Sequence, residues 1–305
     1  MAVFWAKKPR DNYAPTVEKH CRDVCEAADA VLASIVPILA PSLGIRRDAL
    51  SKEFRPLLRA AALLHDMAKV NSAFQRMLSA IPGAGIRQPV RHEILAAWLL
   101  SDTEYLGSWF AKLRPETETW PVIWAVAGHH VKMGDPARGA QLFDNGSGTD
   151  EVVLPLSALS TLLLDTGREL DPAKELGPIA PDRVFATIDD DEGGLEQSIL
   201  QFAEHSCRAW QRLRLNQEVV RRVAILKALL VAADVAASAL MEGGGEWIAD
   251  SLSKRIEPGA LNKVIAKGTR GSSPKRFQEN VANSTKNATI LVAGCGGGKT
   301  TAAYM

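Results

Sequence analysis

Cysteine is scarce in this sequence. Cys21, Cys25, Cys207 and Cys295 are the four present among 305 residues, and none are spaced as in a zinc ribbon or a redox motif. That excludes a disulfide framework as the source of stability and fits a reducing cytosol. An excess of either charge is also missing: 36 Lys and Arg face 35 Asp and Glu, so any nucleic-acid partner has to be argued from local features. Met1 to Arg10 lacks the apolar run of a signal peptide, and no later stretch reaches the roughly 18 uninterrupted apolar residues of a membrane span. The expectation is a soluble, cytoplasmic protein with no membrane partner. Internal repeats and low-complexity tracts are lacking too, and alternating strand patterns are rare.

What is present is a helical pattern. With 47% hydrophobic residues the chain can bury one large core and part of a second unit. Apolar residues recur at three- and four-residue spacing over 16–38, 54–78, 92–100, 120–127, 195–214 and 218–241, which predicts helices there. Between Arg138 and Gly194 the pattern loosens, with a turn-like Asp144-Asn-Gly-Ser-Gly148 and an acidic run at 189–192 that reads as a solvated surface. After Met241 the character changes. Gly243 to Gly245 break the helix, and 254–276 is basic, with Lys254, Arg255, Lys263, Lys267, Arg270, Lys275 and Arg276. This stretch reads as a solvated linker that could also track a nucleic-acid backbone.

Six histidines occur, and five fall where they could ligate a metal. His20 lies on the first helix, and His65–Asp66 sits near the middle of the apolar helix Ala60-Ala-Ala-Leu-Leu-His-Asp-Met-Ala-Lys69. His92 opens another helix, His129–His130 ends a fourth after a flexible Gly128, and Asp234 sits within Leu229-Leu-Val-Ala-Ala-Asp-Val-Ala-Ala-Ser238. An ionised aspartate on the buried face of a helix is costly unless something positive pairs with it. A divalent cation would satisfy both aspartates. Imidazole with carboxylate favours iron, manganese, nickel, cobalt or zinc over calcium. Seven such side chains exceed the needs of one ion, so two ions sharing a bridging carboxylate is the natural count. Two ions about 3.5–4 Å apart can activate water and clamp the oxygens of a phosphoryl displacement. His205, in Phe202-Ala-Glu-His-Ser, reads as a core or surface histidine outside the set.

The series His20, His65–Asp66, His92, His129–His130, Asp234 resembles the HD nuclease domain of the CRISPR-associated helicase-nuclease of type I systems. Trp5-Ala-Lys, Thr16-Val-Glu-Lys-His20, Phe74–Gln75, Arg91-His-Glu93 and Ala233–Asp234 with Ser238 extend the likeness, and Ala68 stands where the family has glycine. The resemblance implies an all-α HD-domain helical bundle over residues 1–250. It implies that His20, His65, Asp66 and Asp234 hold one ion, and Asp66, His92, His129 and His130 the other. Lys69 would lie near the scissile phosphate. The ions implied are iron, manganese, nickel or cobalt. The partners implied are single-stranded DNA, an RNA-guided surveillance complex and an anti-CRISPR inhibitor.

Ala293-Gly-Cys-Gly-Gly-Gly-Lys299-Thr300 follows a short β-like run, Ala288 to Ala293. That context suits a phosphate-binding loop, with Gly296 and Gly298 in the cradle, Lys299 on the outer phosphates and Thr300 on magnesium. Arg276-Phe-Gln278 resembles the adenine-reading glutamine motif of superfamily 2 helicases. Residues 251–305 are therefore expected to be a basic linker and the truncated α/β start of a helicase domain, with Mg-ATP used only by the full-length helicase. Other readings remain. One is an HD-type nucleotide or cyclic-nucleotide phosphohydrolase; another is a non-catalytic docking module of the same fold. Cys21 and Cys25 read as buried structural thiols more readily than a zinc site. Trp98, Trp109, Trp120 and Trp124 read as core rather than as base-stacking platforms.

Overall fold

The computed structural model describes residues 3–9, 15–81, 88–130, 152–172, 183–185, 194–239, 250–251, 258–269 and 273–284. They are almost entirely helical, with one two-stranded antiparallel sheet. The helices are α1 (Val17–Leu43), α2 (Arg47–Leu64), α3 (Ser72–Ser79), α4 (His92–Ser101), α5 (Gly107–Leu113), α6 (Glu116–Gly128), α7 (Ser160–Leu170), α8 (Leu195–Leu213) and α9 (Gln217–Ala239). The antiparallel strands β1 (Val152–Leu154) and β2 (Arg183–Phe185) pair with Val153 opposite Val184. The loosened sequence around them has too few residues per strand for an alternating pattern to register. Residues Met1–Ser251 form one compact unit and Leu252–Met305 a second. In the second, α10 (Pro258–Thr269) and α11 (Arg276–Ala282) carry part of the basic stretch.

The centre of the first unit is built by α1, α2, α6 and α9. α1 packs on α2 and α9, and α6 on α4 and α9. Local chemistry sets the ends of these helices. The Thr16 hydroxyl accepts from the Lys19 N–H at 3.1 Å and starts α1, while Gly44, at φ 66°, ends it in a left-handed conformation. By length and composition α1 could cross a membrane, but Val24, Ala27, Ala28 and Ala40 on it are completely buried inside the bundle. Ion pairs bind the elements laterally. Arg59 on α2 joins Asp29 on α1 and, at 2.8 Å, Glu169 on α7, while Arg222 on α9 donates to Glu53 on α2 at 3.0 Å.

One expected helix is two. The apolar pattern over 54–78 continues, yet α2 stops at Leu64. His65 caps it, Asp66 takes φ −108° and ψ 5°, and a 3-10 turn at Met67–Val70 leads into α3. Asn71 then caps α3, its side-chain oxygen accepting from the Phe74 N–H at 2.9 Å. His65–Asp66 thus lies at a helix end, not mid-helix. Helix α6 begins at Glu116, four residues before the expected Trp120, with Pro115 at its N-cap. Gly128 is the buried last residue of α6 and keeps a helical backbone. Trp98, Trp120 and Trp124 are core residues, and Trp109 is partly buried against the core. The Asp144–Gly148 turn, the acidic run and Gly243 to Gly245 lie outside the described residues.

Candidate metal centre

Five elements bring the seven ligand candidates to one place. α1 supplies His20, the end of α2 supplies His65 and Asp66, the start of α4 supplies His92, the end of α6 supplies His129 and His130, and α9 supplies Asp234. All except His130 are buried, and His65 is completely so. They fall into two groups, His20–His65–Asp234 and Asp66–His92–His129–His130, with donor atoms in each within 4.8 Å of one another. Asp66 stands between them. Its Oδ2 lies 3.1 Å from His20 Nε2 and 3.3 Å from His65 Nε2, while its Oδ1 lies 3.1 Å from His92 Nε2 and 3.6 Å from His129 Nε2. Asp234 Oδ1 closes the first group, 3.3 Å from His20 Nε2 and 3.8 Å from His65 Nε2.

These atoms fit a pair of divalent cations. His20 Nε2, His65 Nε2, His92 Nε2, His129 Nε2 and Asp66 Oδ1 are all buried without a hydrogen-bond partner. So many orphaned polar atoms facing one another would be unfavourable unless something binds them. Donors about 2.0–2.2 Å from one ion stand about 3.0–3.5 Å apart, close to the separations found. Ring orientation agrees. His65 Nδ1 and His129 Nδ1 each sit 2.7 Å from a backbone carbonyl, of Ala62 and Val126. That places their N–H outward and leaves the Nε2 lone pairs aimed at the centre. His92 is held differently. Its Nδ1 faces the carboxylate of fully buried Glu93 at 3.4 Å and the Gln88 amide at 3.5 Å, and Glu93 itself takes a 2.6 Å bond from Arg91. The Ser238 hydroxyl donates to Asp234 Oδ1 at 3.2 Å.

Charge at the centre is uneven. Burial opposes ionisation of Asp66, but His65, Lys69, His129 and His20 outweigh it and hold its carboxyl well below the usual range. Burial likewise opposes ionisation of Asp234, but the nearby His20 and His65 imidazoles outweigh it and hold its carboxyl well below the usual range. Burial lowers His92 despite Asp66, and burial with the neighbouring His129 and His92 rings pushes His130 down to about 4. Both carboxylates are therefore ionised, and two of the imidazoles are biased toward the neutral form that binds metal. The Lys69 ammonium is buried, 2.5 Å from Asp66 Oδ2 and 5.5 Å from the centre of the Phe74 ring.

The remaining sites divide. Gln278 sits in α11, where its side-chain oxygen accepts from the Lys275 N–H at 2.7 Å and caps its own helix. Gly296, Gly298, Lys299 and Thr300 lie outside the described residues. His205 is exposed and meets Trp120 edge-on at 5.2 Å. Cys21 and Cys25 are free, buried thiols, and burial pushes Cys25 up to about 12, leaving it without thiolate character. Sequence reasoning gave no role to Gln88, Glu93 or Gln75. Charged Glu93 inside the apolar run of α4 was a visible signal. Gln75 stood out only as part of the Phe74–Gln75 likeness, and Gln88 carried no signal.

Residues 5–240 match the family described as "Cas3, HD domain", a span that contains all seven ligand candidates. The chain belongs to the Cas3 HD-domain family. It is also 33% identical, over 265 residues, to a putative CRISPR-associated nuclease/helicase Cas3 of Myxococcus xanthus (strain DK1622). That match covers 84% of this chain and 34% of the relative, so the chain spans about a third of that protein's length. HD domains bind divalent metals, and the two His/Asp groups are clusters able to hold them. The family is one of CRISPR-associated HD nucleases.

Proposed function

We propose that this protein is a metal-dependent deoxyribonuclease that cuts single-stranded DNA during CRISPR interference. In this reading it is recruited by an RNA-guided surveillance complex and coupled to an ATP-driven helicase. The observation that carries the chemistry is the placement of Asp66, whose two oxygens face separate groups of unpartnered imidazoles. That is the donor set of a bridged dinuclear centre, and such centres suit phosphodiester hydrolysis. The printed name of the Myxococcus xanthus relative, a nuclease/helicase, supports the choice of nucleic acid over a free nucleotide.

His20, His65, Asp66 and Asp234 would hold one ion, and Asp66, His92, His129 and His130 the other. When bound, such a pair supplies an acidified water and positive charge for the phosphoryl oxygens. The chain's own residues do the rest. The Ala62 and Val126 carbonyls fix the tautomers of His65 and His129. Glu93 and Gln88 orient His92. Lys69 neutralises Asp66 and brings an ammonium to the wall against which a phosphodiester would lie, where it opposes developing negative charge. Exposed His130 marks the open side, while buried His20 and His65 close the other.

The experiment is a nicking assay on circular single-stranded DNA with manganese, cobalt, nickel or ferrous iron. Cleavage is expected, and Asp66→Ala should remove it by at least about a hundredfold, because both donor groups lose their shared carboxylate. No cleavage under any of these metals, with both ions shown to be bound, would sink the assignment.

A further inference from the structure

Residues Phe4 to Ala6 are tied to the start of α1 and, through Gln75, to the turn that follows Asp66. The Phe4 carbonyl accepts from the Val17 N–H at 2.8 Å, the Ala6 N–H donates to the Pro15 carbonyl at 2.9 Å, and Trp5 and Thr16 form an antiparallel bridge. Gln75 clamps the same segment. Its Oε1 accepts from the Trp5 N–H at 3.0 Å, and its Nε2 donates both to the Trp5 carbonyl at 2.9 Å and to the Lys69 carbonyl at 2.7 Å. One amide thus ties the segment to the 3-10 turn that follows Asp66. The two lysines after Ala6 have different fates. Lys8 is exposed and donates to the Ala80 carbonyl at 3.0 Å. Lys7 is half-buried, and the charges its ammonium feels are those of the centre: Asp234, Lys69 and Asp66. Burial lowers Lys7 below the ordinary lysine value, although the two carboxylates pull the other way. Among the described residues, Lys7 makes no hydrogen bond and no ion pair.

An ammonium held partly out of water within electrostatic reach of two aspartates, on a segment tied to the turn that follows Asp66, yet bonded to neither, is not explained by a structural salt bridge. Lys69 already occupies Asp66. A lysine in that position is a site for an anion that arrives with the substrate. Resting on the nuclease reading, we propose that Lys7 binds a backbone phosphate of the nucleic-acid strand next to the one being cut, with the Gln75-clamped segment as a wall of the strand's groove. The strand would then be gripped by a lysine on each of two elements, Lys69 in the 3-10 turn and Lys7 in the N-terminal segment. A free mononucleotide has no second phosphodiester to offer such a contact, so Lys7 also favours a polymer over a small substrate.

The test uses the full chain as wild type, Lys7→Ala and Lys7→Arg. Binding of a fluorescent oligothymidylate is followed by anisotropy across a salt series without added metal, and cleavage kinetics are then measured with manganese. One lost phosphate contact on a single strand lowers the slope of log affinity against log salt by about 0.7. Lys7→Ala should show that loss and raise KM about fivefold or more with a smaller change in kcat, and Lys7→Arg should restore both. An unchanged salt slope with unchanged KM overturns the proposal. So does a fall in bound manganese or in melting temperature without a change in slope, which would make Lys7 structural. If wild type binds DNA but does not cut it, the nuclease reading fails, while the slope still decides whether Lys7 meets a phosphate.

Discussion

Glu93 shows how much one residue beside a ligand can matter. It is fully buried, bonded to Arg91, and its other oxygen faces His92 Nδ1. The other two imidazoles with an anchored Nδ1, His65 and His129, lean on neutral carbonyls instead. A carboxylate behind an imidazole makes it a stronger donor and fixes its ring. Glu93→Gln keeps the shape and removes the charge. It should weaken the ion in the Asp66–His92–His129–His130 group by about 10- to 100-fold and leave the other group less affected. Stepwise manganese titration by calorimetry would show one shifted and one retained binding event. Two equally weakened sites would remove the selective role.

Where helices stop positions the site more than where they run. Adjacent residues on a continuous helix diverge by about 100° around the axis, so His65 and Asp66 could not both face one centre from mid-helix. Ending α2 at Leu64 and turning Asp66 to φ −108° solves this. A tight turn also joins α4 to α5. A Cβ on Gly107 would lie 2.6 Å from the Asp102 carbonyl oxygen, which accepts the Gly107 N–H at 2.8 Å. Gly107→Ala must therefore push backbone apart and should cost about 1–3 kcal/mol. Urea unfolding would measure it, and a midpoint equal to wild type would refute the close packing. Nothing in composition marks these stops. Met67-Ala-Lys-Val70 is as compatible with a helix as Ala60-Ala-Ala-Leu-Leu64, and propensity is a weak guide against tertiary demands.

For the whole molecule, the centre is a structural element as well as a chemical one. It gathers α1, the end of α2, α4, α6 and α9, the same elements that build the bundle core. Without a cation, two ionised carboxylates and a set of orphaned imidazoles must be held together at the middle of the unit. A ligand bound by the folded state alone stabilises that state in proportion to its occupancy. Chelation should therefore destabilise the fold by about 1–3 kcal/mol and lower the melting temperature by several degrees, and manganese should restore it. Equal melting temperatures with and without bound metal would show that the fold does not depend on the centre.

The residues that the structure gathers into two His/Asp groups were legible in the sequence, because a charged or imidazole side chain inside an apolar helical run is costly and so stands out. His20, His65, Asp66, His92 and Asp234 were visible in this way, as was the all-α class from the spacing of Leu and Ala. The tertiary structure alone decided which oxygen of Asp66 faces which imidazoles, that Glu93 backs His92, and that the N-terminal segment is clamped by Gln75 from some seventy residues away. These are contacts between groups distant in the chain or set by a backbone turn. They depend on side-chain direction after packing, to which local periodicity is blind.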